Sequence, residues 1–478
     1  LEVNKMTTYR IEEDCLGQIK VKADKYWKSQ TQRSLENFKI GQELMPKSLI
    51  HSFAILKEAC AKANLHFHKI SEKQCEAIVK VCQNIEDGQY LDQFPLHVWQ
   101  TGSGTQTNMN ANEVISMLGN EYAKENILHP NDTVNVSQSS NDTFPAALHI
   151  MVAQKINEEL LPQLDQMINQ IKKLEEENEG IIKIGRTHLQ DAVPITLGQE
   201  MSAYASGVNR GLRRIEHALI NLHYINMGGT AIGTGLNAEP NYIPEVAKIL
   251  SVLAEEDFHV AENLIDATNN TDGFADMSSA LKNTALMLIK MANDFRLMAS
   301  GPRCGLNELK LPARQPGSSI MPGKVNPVIA EVLNQTCYQI IGNDTAICLA
   351  VENGQFELNV MEPVIAFNIF NSLKYMTNAV NTFVDNLLID LEANKEQCYT
   401  WLNHSVGTIT ALLPHIGYEN ASMIAKEAYQ TNKPVREIIL SKNLLTEEEL
   451  DIILSPSEMT RPGIAGDKLL KENLQKRA

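Results

Sequence analysis

The chain contains no apolar run approaching the roughly 18 residues that a membrane-spanning helix requires, so no membrane partner is expected. Positive charge is in deficit: 42 Lys and Arg stand against 58 Asp and Glu, giving a formal net charge of −16. No basic stripe offsets that balance, and nucleic acid is not an expected partner. Low-complexity blocks and fixed-period repeats are missing, which argues against a disordered chain or a solenoid. The eight cysteines (Cys15, Cys60, Cys75, Cys82, Cys304, Cys337, Cys348, Cys398) include no CxxC pair and no His at zinc-finger spacing. No metal site is expected, and the scattered thiols read as small buried hydrophobes of a reducing compartment. The opening stretch LEVNKMTTYRIEED has neither the apolar core of a signal peptide nor the Arg-rich, acid-poor character of a transit peptide. A cytoplasmic location is the expectation.

What is present is a hydrophobic content of 43% over 478 residues, enough for a large core and, by size, two or three domains. Up to about Asp142, short helical patterns alternate with polar stretches read as loops, notably WQTGSGTQTNMNANE and HPNDTVNVSQSSNDTFP. From about Thr143 the character changes to long helices. Phe274, Met277, Leu281, Thr284, Leu288, Met291, Phe295 and Met298 recur at alternating spacings of three and four, predicting a helix over about 273–300. The same alternation runs from Leu197 through Met201, Tyr204, Val208, Leu212, Ile215 and Leu219 to Leu222. A third helix is predicted from near Ala147 to Leu174, kinked at Pro162, and two more over about 327–351 and 358–391. At roughly 25 to 30 residues these helices would each be about 40 Å long, a length that suits a bundle or a packing between subunits. The expected fold is mainly α: a mixed helical and loop part over 1–142, a five-helix bundle over 143–392, and a small helical part over 393–478.

The polar stretches carry the candidate chemistry. Any one of TGSGTQTNMN, HPND, QSSND, GRTHLQD and GSSIMPGKVNP reads first as a connection between helices. Together they gather short hydroxyls, amides, one His and one Lys, which is what a small dicarboxylate needs: directional donors, a full positive charge and an acid/base pair. Ser103 and Thr105 follow glycines, Gly102 and Gly104, that let backbone N–H groups approach a ligand. Ser139, Ser140 and Asn141 stand at the start of a long helix, either as anion donors or as an N-cap cluster. His188 is the natural proton carrier at neutral pH, and Glu331, one turn beyond Pro327, is its candidate carboxylate partner. GGTAIGTGLN, residues 228–237, lacks the Lys-Ser/Thr ending of a phosphate loop and reads as a tight bend. A noncatalytic dicarboxylate binder would keep the gripping residues but have no use for an acid/base pair.

Taken together, these motifs resemble the aspartase/fumarase superfamily, from about Tyr9 to Gly466, with GSSIMPGKVNP matching its signature. Within it the first half is most similar to the class II fumarases: TGSGTQ stands where aspartases show GGAGTS, QSSND where they show QSTND, and HPND carries the His of the fumarase second anion site. NVMEPVIAFN, NHSVGTITALLPHIGY and MTRPGIAG are more aspartase-like, and YWKSQTQRS departs from the usual fumarase pattern at Lys28 and Ser29. The resemblance implies reversible hydration of fumarate to (S)-malate without metal or organic cofactor, with elimination of ammonia from aspartate as the alternative. It further implies that Ser318 removes the C3 proton of malate and that His188, held by Glu331, handles the water. Ser103, Gly104, Thr105, Ser139, Ser140, Asn141, Thr187, Ser319, Lys324, Val325 and Asn326 would hold the substrate, and His129, Pro130, Asn131 and Asp132 a secondary anion. The implied assembly is a homotetramer with a shared helical core and active sites each built from three subunits.

Overall fold

The computed structural model describes residues 8–477; residues 1–7, which begin the stretch LEVNKMTTYRIEED and the expected first part, lie outside the described residues, as does Ala478. The fold is mainly α, and its long helices follow the apolar periodicity. They span Leu197–Leu222, Asp272–Met298, Val328–Val351 and Glu362–Phe383. The stripe residues Met201, Val208, Ile215, Leu281, Leu288 and Phe295 are all fully buried. No helix among the described residues is long and apolar enough to cross a membrane.

Two of the predicted helices differ in detail, each for an identifiable reason. The one expected from near Ala147 starts seven residues earlier, as Ser140–Gln154, passes through a π-helical turn at Lys155–Leu160, and continues as Leu161–Glu177. Pro162 has no N–H for the preceding turn, and the irregularity falls just before it, where the Leu161 N–H reaches the Ile156 carbonyl. The last long helix starts at Glu362 because Asn359, fully buried, terminates the connection ahead of it. Its Oδ1 accepts from the Met361 N–H at 2.8 Å, while Nδ2 donates to the carbonyls of Ala350 and Val351 at 3.0 and 3.2 Å.

The first 142 residues are more helical than their polarity suggested. Lys47–His66 is buried on almost every face, so its sequence shows little amphipathic period. TQTNMNANE, read as loop, is the start of the helix Thr105–Ala123. Its amide donors are buried and paired, although Asn112 Oδ1 has no partner among the described residues: Asn110 Nδ2 donates to the Gln93 carbonyl at 3.1 Å, and Asn108 and Asn112 both donate to Asn135 Oδ1 at 3.1 Å. Paired donors of this kind are compatible with a helix interior, whereas composition alone signals a turn.

Four two-stranded sheets were not anticipated. Two are hairpins, Tyr9–Asp14 with Gly17–Lys22 and Ile182–Thr187 with Gln190–Thr196; Tyr224–Ile225 pairs in parallel with His259–Val260, and Leu309–Lys310 pairs with Glu392–Ala393. By contact density the chain forms two compact units of interleaved segments. One holds the residues up to Pro162 with Gly211–Ala285 and Thr336–Asn378; the other holds Gln163–Arg210, Leu286–Gln335 and the chain from Ala379 onward. The threefold division at 142/143 and 392/393 follows the chain, whereas this one follows packing. In the first unit Phe53 and Phe144 meet with ring centroids 6.0 Å apart, and in the second Phe295 and Phe383 do the same. Beyond residue 400, Leu412, Ile424, Ile438, Leu450 and Ile453 form a separate buried cluster.

Asn359→Ala removes the acceptor of the Met361 N–H and one of the two hydrogen bonds to each of the Ala350 and Val351 carbonyls, which keep the N–H groups of Asn353 and Gly354, so it is expected to cost about 1–2 kcal/mol, read as a lowered urea midpoint. A change below about 0.5 kcal/mol would show that Asn359 does not terminate this connection.

Candidate functional site

The first unit brings together hydroxyls from two loops that lie far apart in sequence. Ser103 Oγ is 2.9 Å from Thr105 Oγ1, which is 3.0 Å from Ser140 Oγ, which in turn is 3.4 Å from Asn141 Oδ1. This row of groups lies at the N-terminal ends of the helices Thr105–Ala123 and Ser140–Gln154. Helix N-termini present unpaired N–H groups and positive partial charge, so two of them favour an anion. Gly104 is essential to this approach. It adopts φ +66°, and a Cβ there would fall 2.0 Å from Phe144 Cδ2.

Ser139 serves as the N-cap, in a capping box with Asp142: its hydroxyl accepts from the Asn141 N–H at 3.3 Å, and Asp142 Oδ1 accepts from the Ser139 N–H at 2.9 Å. Asp142 Oδ2 accepts from the N–H groups of Gly228 and Thr230 at 3.2 and 3.0 Å, fixing the 228–237 segment, which is a bend as expected. Burial pushes the Asp142 carboxyl up to about 7, against three backbone N–H groups and the Lys57 charge that favour its ionised form. Asn141 Nδ2 donates to the Ala231 carbonyl at 2.7 Å, a second tie to the same bend. Asp142 was missed as a site residue, although the Ser-x-x-Asp spacing of Ser139 and Asp142 is a legible capping signal. The Gly102 carbonyl accepts from the Glu362 N–H at 2.9 Å. The Glu362 carboxylate is itself buried with neither oxygen hydrogen-bonded among the described residues, and burial raises its pKa well above the ordinary value.

His129, Pro130, Asn131 and Asp132 open the π-helical turn Pro130–Val134. The Asp132 N–H donates to His129 Nδ1 at 3.2 Å, and the side chains of His129 and Asp132 are exposed.

The second unit holds the proton-transfer candidates. GRTHLQD is the tip of the hairpin Ile182–Thr187/Gln190–Thr196, in which Thr187 pairs with Gln190 across a two-residue turn. The turn residues His188 and Leu189 have φ +55° and +59°, the type I′ pattern that normally takes Asn and Gly. Thr187 and His188 are exposed, and His188 has no hydrogen-bond partner among the described residues. Below the tip, Arg186 Nη1 lies 2.8 Å from Glu308 Oε1, and Lys183 Nζ lies 2.8 Å from Glu200 Oε2 and 3.0 Å from Glu308 Oε2. Burial opposes the Lys183 charge, but the two carboxylates outweigh it and raise its pKa.

Ser318 occupies a loop closed on itself. The Gly317 N–H donates to the Lys324 carbonyl at 2.8 Å, and Asn326 Nδ2 donates to the Gly317 carbonyl at 2.9 Å. Ser318 Oγ accepts from the N–H groups of Ile320 and Met321 at 3.2 and 3.3 Å. Two donors on one hydroxyl oxygen favour its anionic form. Ser319, Lys324 and Val325 are exposed. Glu331, in the first turn of Val328–Val351, lies 3.9 Å from Arg296 Nη2 within its own chain.

A family described as "Lyase" matches residues 17–342, and a second, "Fumarase C C-terminus", matches residues 409–461. Aspartate ammonia-lyase of Bacillus subtilis is 48% identical over 98% of this chain and all of that protein. The class II fumarate hydratase of Helicobacter pylori strain J99 is 47% identical over 95% of this chain and 99% of its own. The crystal structure of class II fumarase from Schistosoma mansoni superposes with a TM-score of 0.91 at 40% identity, over 95% of this chain and all of that one. The chain belongs to the aspartase/fumarase superfamily of lyases. The two candidate groups therefore lie on a scaffold whose relatives are named for both water and ammonia elimination.

The His188 turn predicts a gain from relieving its partner: Leu189→Gly is expected to stabilise the protein by about 1 kcal/mol, since glycine adopts positive φ without penalty. A lowered urea midpoint would contradict the type I′ reading. Glu362 makes a prediction with a sign. The unfolded chain releases this proton near the ordinary carboxylate value and the folded chain only at higher pH, so the group removes stability as pH rises from about 4.5. Glu362→Gln should gain on the wild type between pH 5 and pH 8 in urea midpoints; a pH-independent difference would argue for an unperturbed carboxyl.

Proposed function

We propose that the chain is a fumarate hydratase, interconverting fumarate and (S)-malate in a step of the tricarboxylic acid cycle. The observation that carries this reading is the Ser318 oxygen held by the amides of Ile320 and Met321 on a loop that also carries Lys324 and Asn326. In the dehydration direction Ser318, as its alkoxide, takes the C3 proton of malate. The electron pair passes into the adjacent carboxylate, giving a dianionic aci-carboxylate. Donors such as Lys324 and Asn326 stabilise that charge as it develops, and preorganised donors of this kind are worth about 3 kcal/mol each. The intermediate then collapses, the C2–O bond breaks, and a proton from His188 turns the departing hydroxide into water.

Ser103, Gly104, Thr105, Ser139, Ser140, Asn141, Thr187, Ser319 and Val325 complete the substrate site in this reading, and His129, Pro130, Asn131 and Asp132 the secondary anion site. The assembly is a cytoplasmic homotetramer in which three subunits build each site, so His188 finds its Glu331 partner only on assembly. The long helices support this: Leu286, Leu297, Tyr338 and Leu349 expose large apolar side chains along Asp272–Met298 and Val328–Val351.

The second reading, aspartate ammonia-lyase, is favoured by the 48% identity to the Bacillus subtilis enzyme. The two share the Ser318 step and differ in the group that leaves C2. Loss of the fumarate absorbance near 240 nm at equal rates with and without ammonia is expected for hydration. A strict ammonia requirement, with ammonia released from aspartate, would replace the first reading by the second. Ser318→Ala is expected to abolish turnover in either case while leaving the fold intact, and retained activity would remove Ser318 from the base role.

A further inference from the structure

Lys57 lies in the middle of the helix Lys47–His66 and is almost completely buried, at 1% exposure. A buried ammonium normally has a carboxylate against it. This one is held instead by three neutral amide oxygens: Asn108 Oδ1 at 2.7 Å, Gln138 Oε1 at 2.8 Å and Asn135 Oδ1 at 3.1 Å. An ammonium has three N–H donors, so this set satisfies it completely. The partners are placed with equal economy. Asn108 is one turn into the helix that begins at Thr105, and Gln138 immediately precedes Ser139. Asn135 is locked to both, accepting from Asn108 Nδ2 and donating to the Gln138 carbonyl at 3.2 Å.

We propose that Lys57 is a positioning residue for substrate binding, a buried cation that ties the Ser103–Thr105 loop to the Ser139–Asn141 loop and sets the hydroxyl row at their junction. It touches no substrate; it acts through Asn108 and Gln138. It also places a positive charge beneath the two loops in a chain whose net charge is −16. The inference rests on the dicarboxylate reading of the site.

The role is separable from plain stability because a carboxylate gripped by hydroxyls is charged in both ground and transition state. Loss of such a grip appears in KM, with kcat largely kept. Titration offers an independent handle on the wild-type protein. Burial lowers the Lys57 pKa to about 8. Of the groups facing it, Cys60 is pushed up to about 12 and Cys82 and Tyr242 well above their ordinary values, whereas Asp142, at about 7, ionises just below Lys57 and acts on an anion in the same direction. Loss of the Lys57 proton should therefore weaken dicarboxylate binding between about pH 8 and 9.5, where Asp142 is already largely ionised.

The experiment is calorimetric binding of the unreactive dicarboxylate succinate to the full-length protein, with fumarate kinetics in parallel. Lys57→Met is expected to raise the succinate Kd and the fumarate KM about tenfold, with kcat within about threefold of wild type. Wild-type protein that binds no succinate overturns the functional reading and this inference with it. Wild-type binding that Lys57→Met leaves within about twofold overturns the inference alone. Should Lys57→Met fail to fold, the wild-type pH series decides: a succinate Kd that climbs severalfold across the window supports the brace, and a flat one overturns it.

Discussion

The arrangement of the first unit depends on one buried carboxylate. Asp142 accepts hydrogen bonds from the backbone N–H groups of Ser139, Gly228 and Thr230, and all three donors come from segments that composition alone would leave loose. The bond to Ser139 sets where the helix Ser140–Gln154 begins, and with it the direction of the Ser140 hydroxyl. The bonds to Gly228 and Thr230 hold residues at φ +89° and +57°, a conformation that costs Thr230 of order 1 kcal/mol and persists only because its surroundings fix it. An aspartate able to spend part of its time protonated at neutral pH, as one pushed up to about 7 does, still satisfies these donors without imposing a full buried negative charge.

The second unit follows the opposite logic. Its chemistry-bearing side chains project from tightly determined backbone instead of pairing with one another. The His188 turn is held by the hairpin register and, beneath it, by Arg186 and Lys183 on the fully buried Glu308. The Ser318 loop is closed by Gly317, Lys324 and Asn326 through main-chain and amide bonds. Main-chain hydrogen bonds beneath exposed side chains mean that the entropy of ordering is met during folding and not when a ligand arrives.

Much of this was legible in the sequence where a single physical period dominates. Leu197–Leu222 and Asp272–Met298 bury one stripe each, and the three-four alternation placed both closely. Lys47–His66 was not legible as a long helix because it is buried nearly all round, which erases the amphipathic signal. Thr105–Ala123 was read as a loop because Asn108, Asn110 and Asn112 are turn formers by composition; only tertiary partners, Gln93 and Asn135, reconcile them with a helix. The candidate site residues Ser103, Thr105, Ser140 and Ser318 were proposed from hydroxyl-rich motifs, which carry a local pattern. Lys57 was not, since an isolated lysine in an apolar helix carries no local pattern, and its meaning lies in residues 51 to 81 positions away.

The remaining question is how an acidic chain favours an anion, and the environments of its buried cations answer it. Lys183 and Arg186 are neutralised where they stand, by Glu200 and Glu308, and contribute structure without much field. Lys57 is solvated by amide dipoles, and the carboxylate that contributes to its field, Asp142, is driven toward its neutral form by burial. A unit charge within about 10 Å across an effective dielectric of about 20 is worth roughly 1–2 kcal/mol to an anion. Two helix N-termini add to it in the same direction. Such a field is short-ranged and sheltered from salt, so it can coexist with an exterior that repels the same ligand. The net charge of the chain is therefore a poor guide to the sign of its binding site.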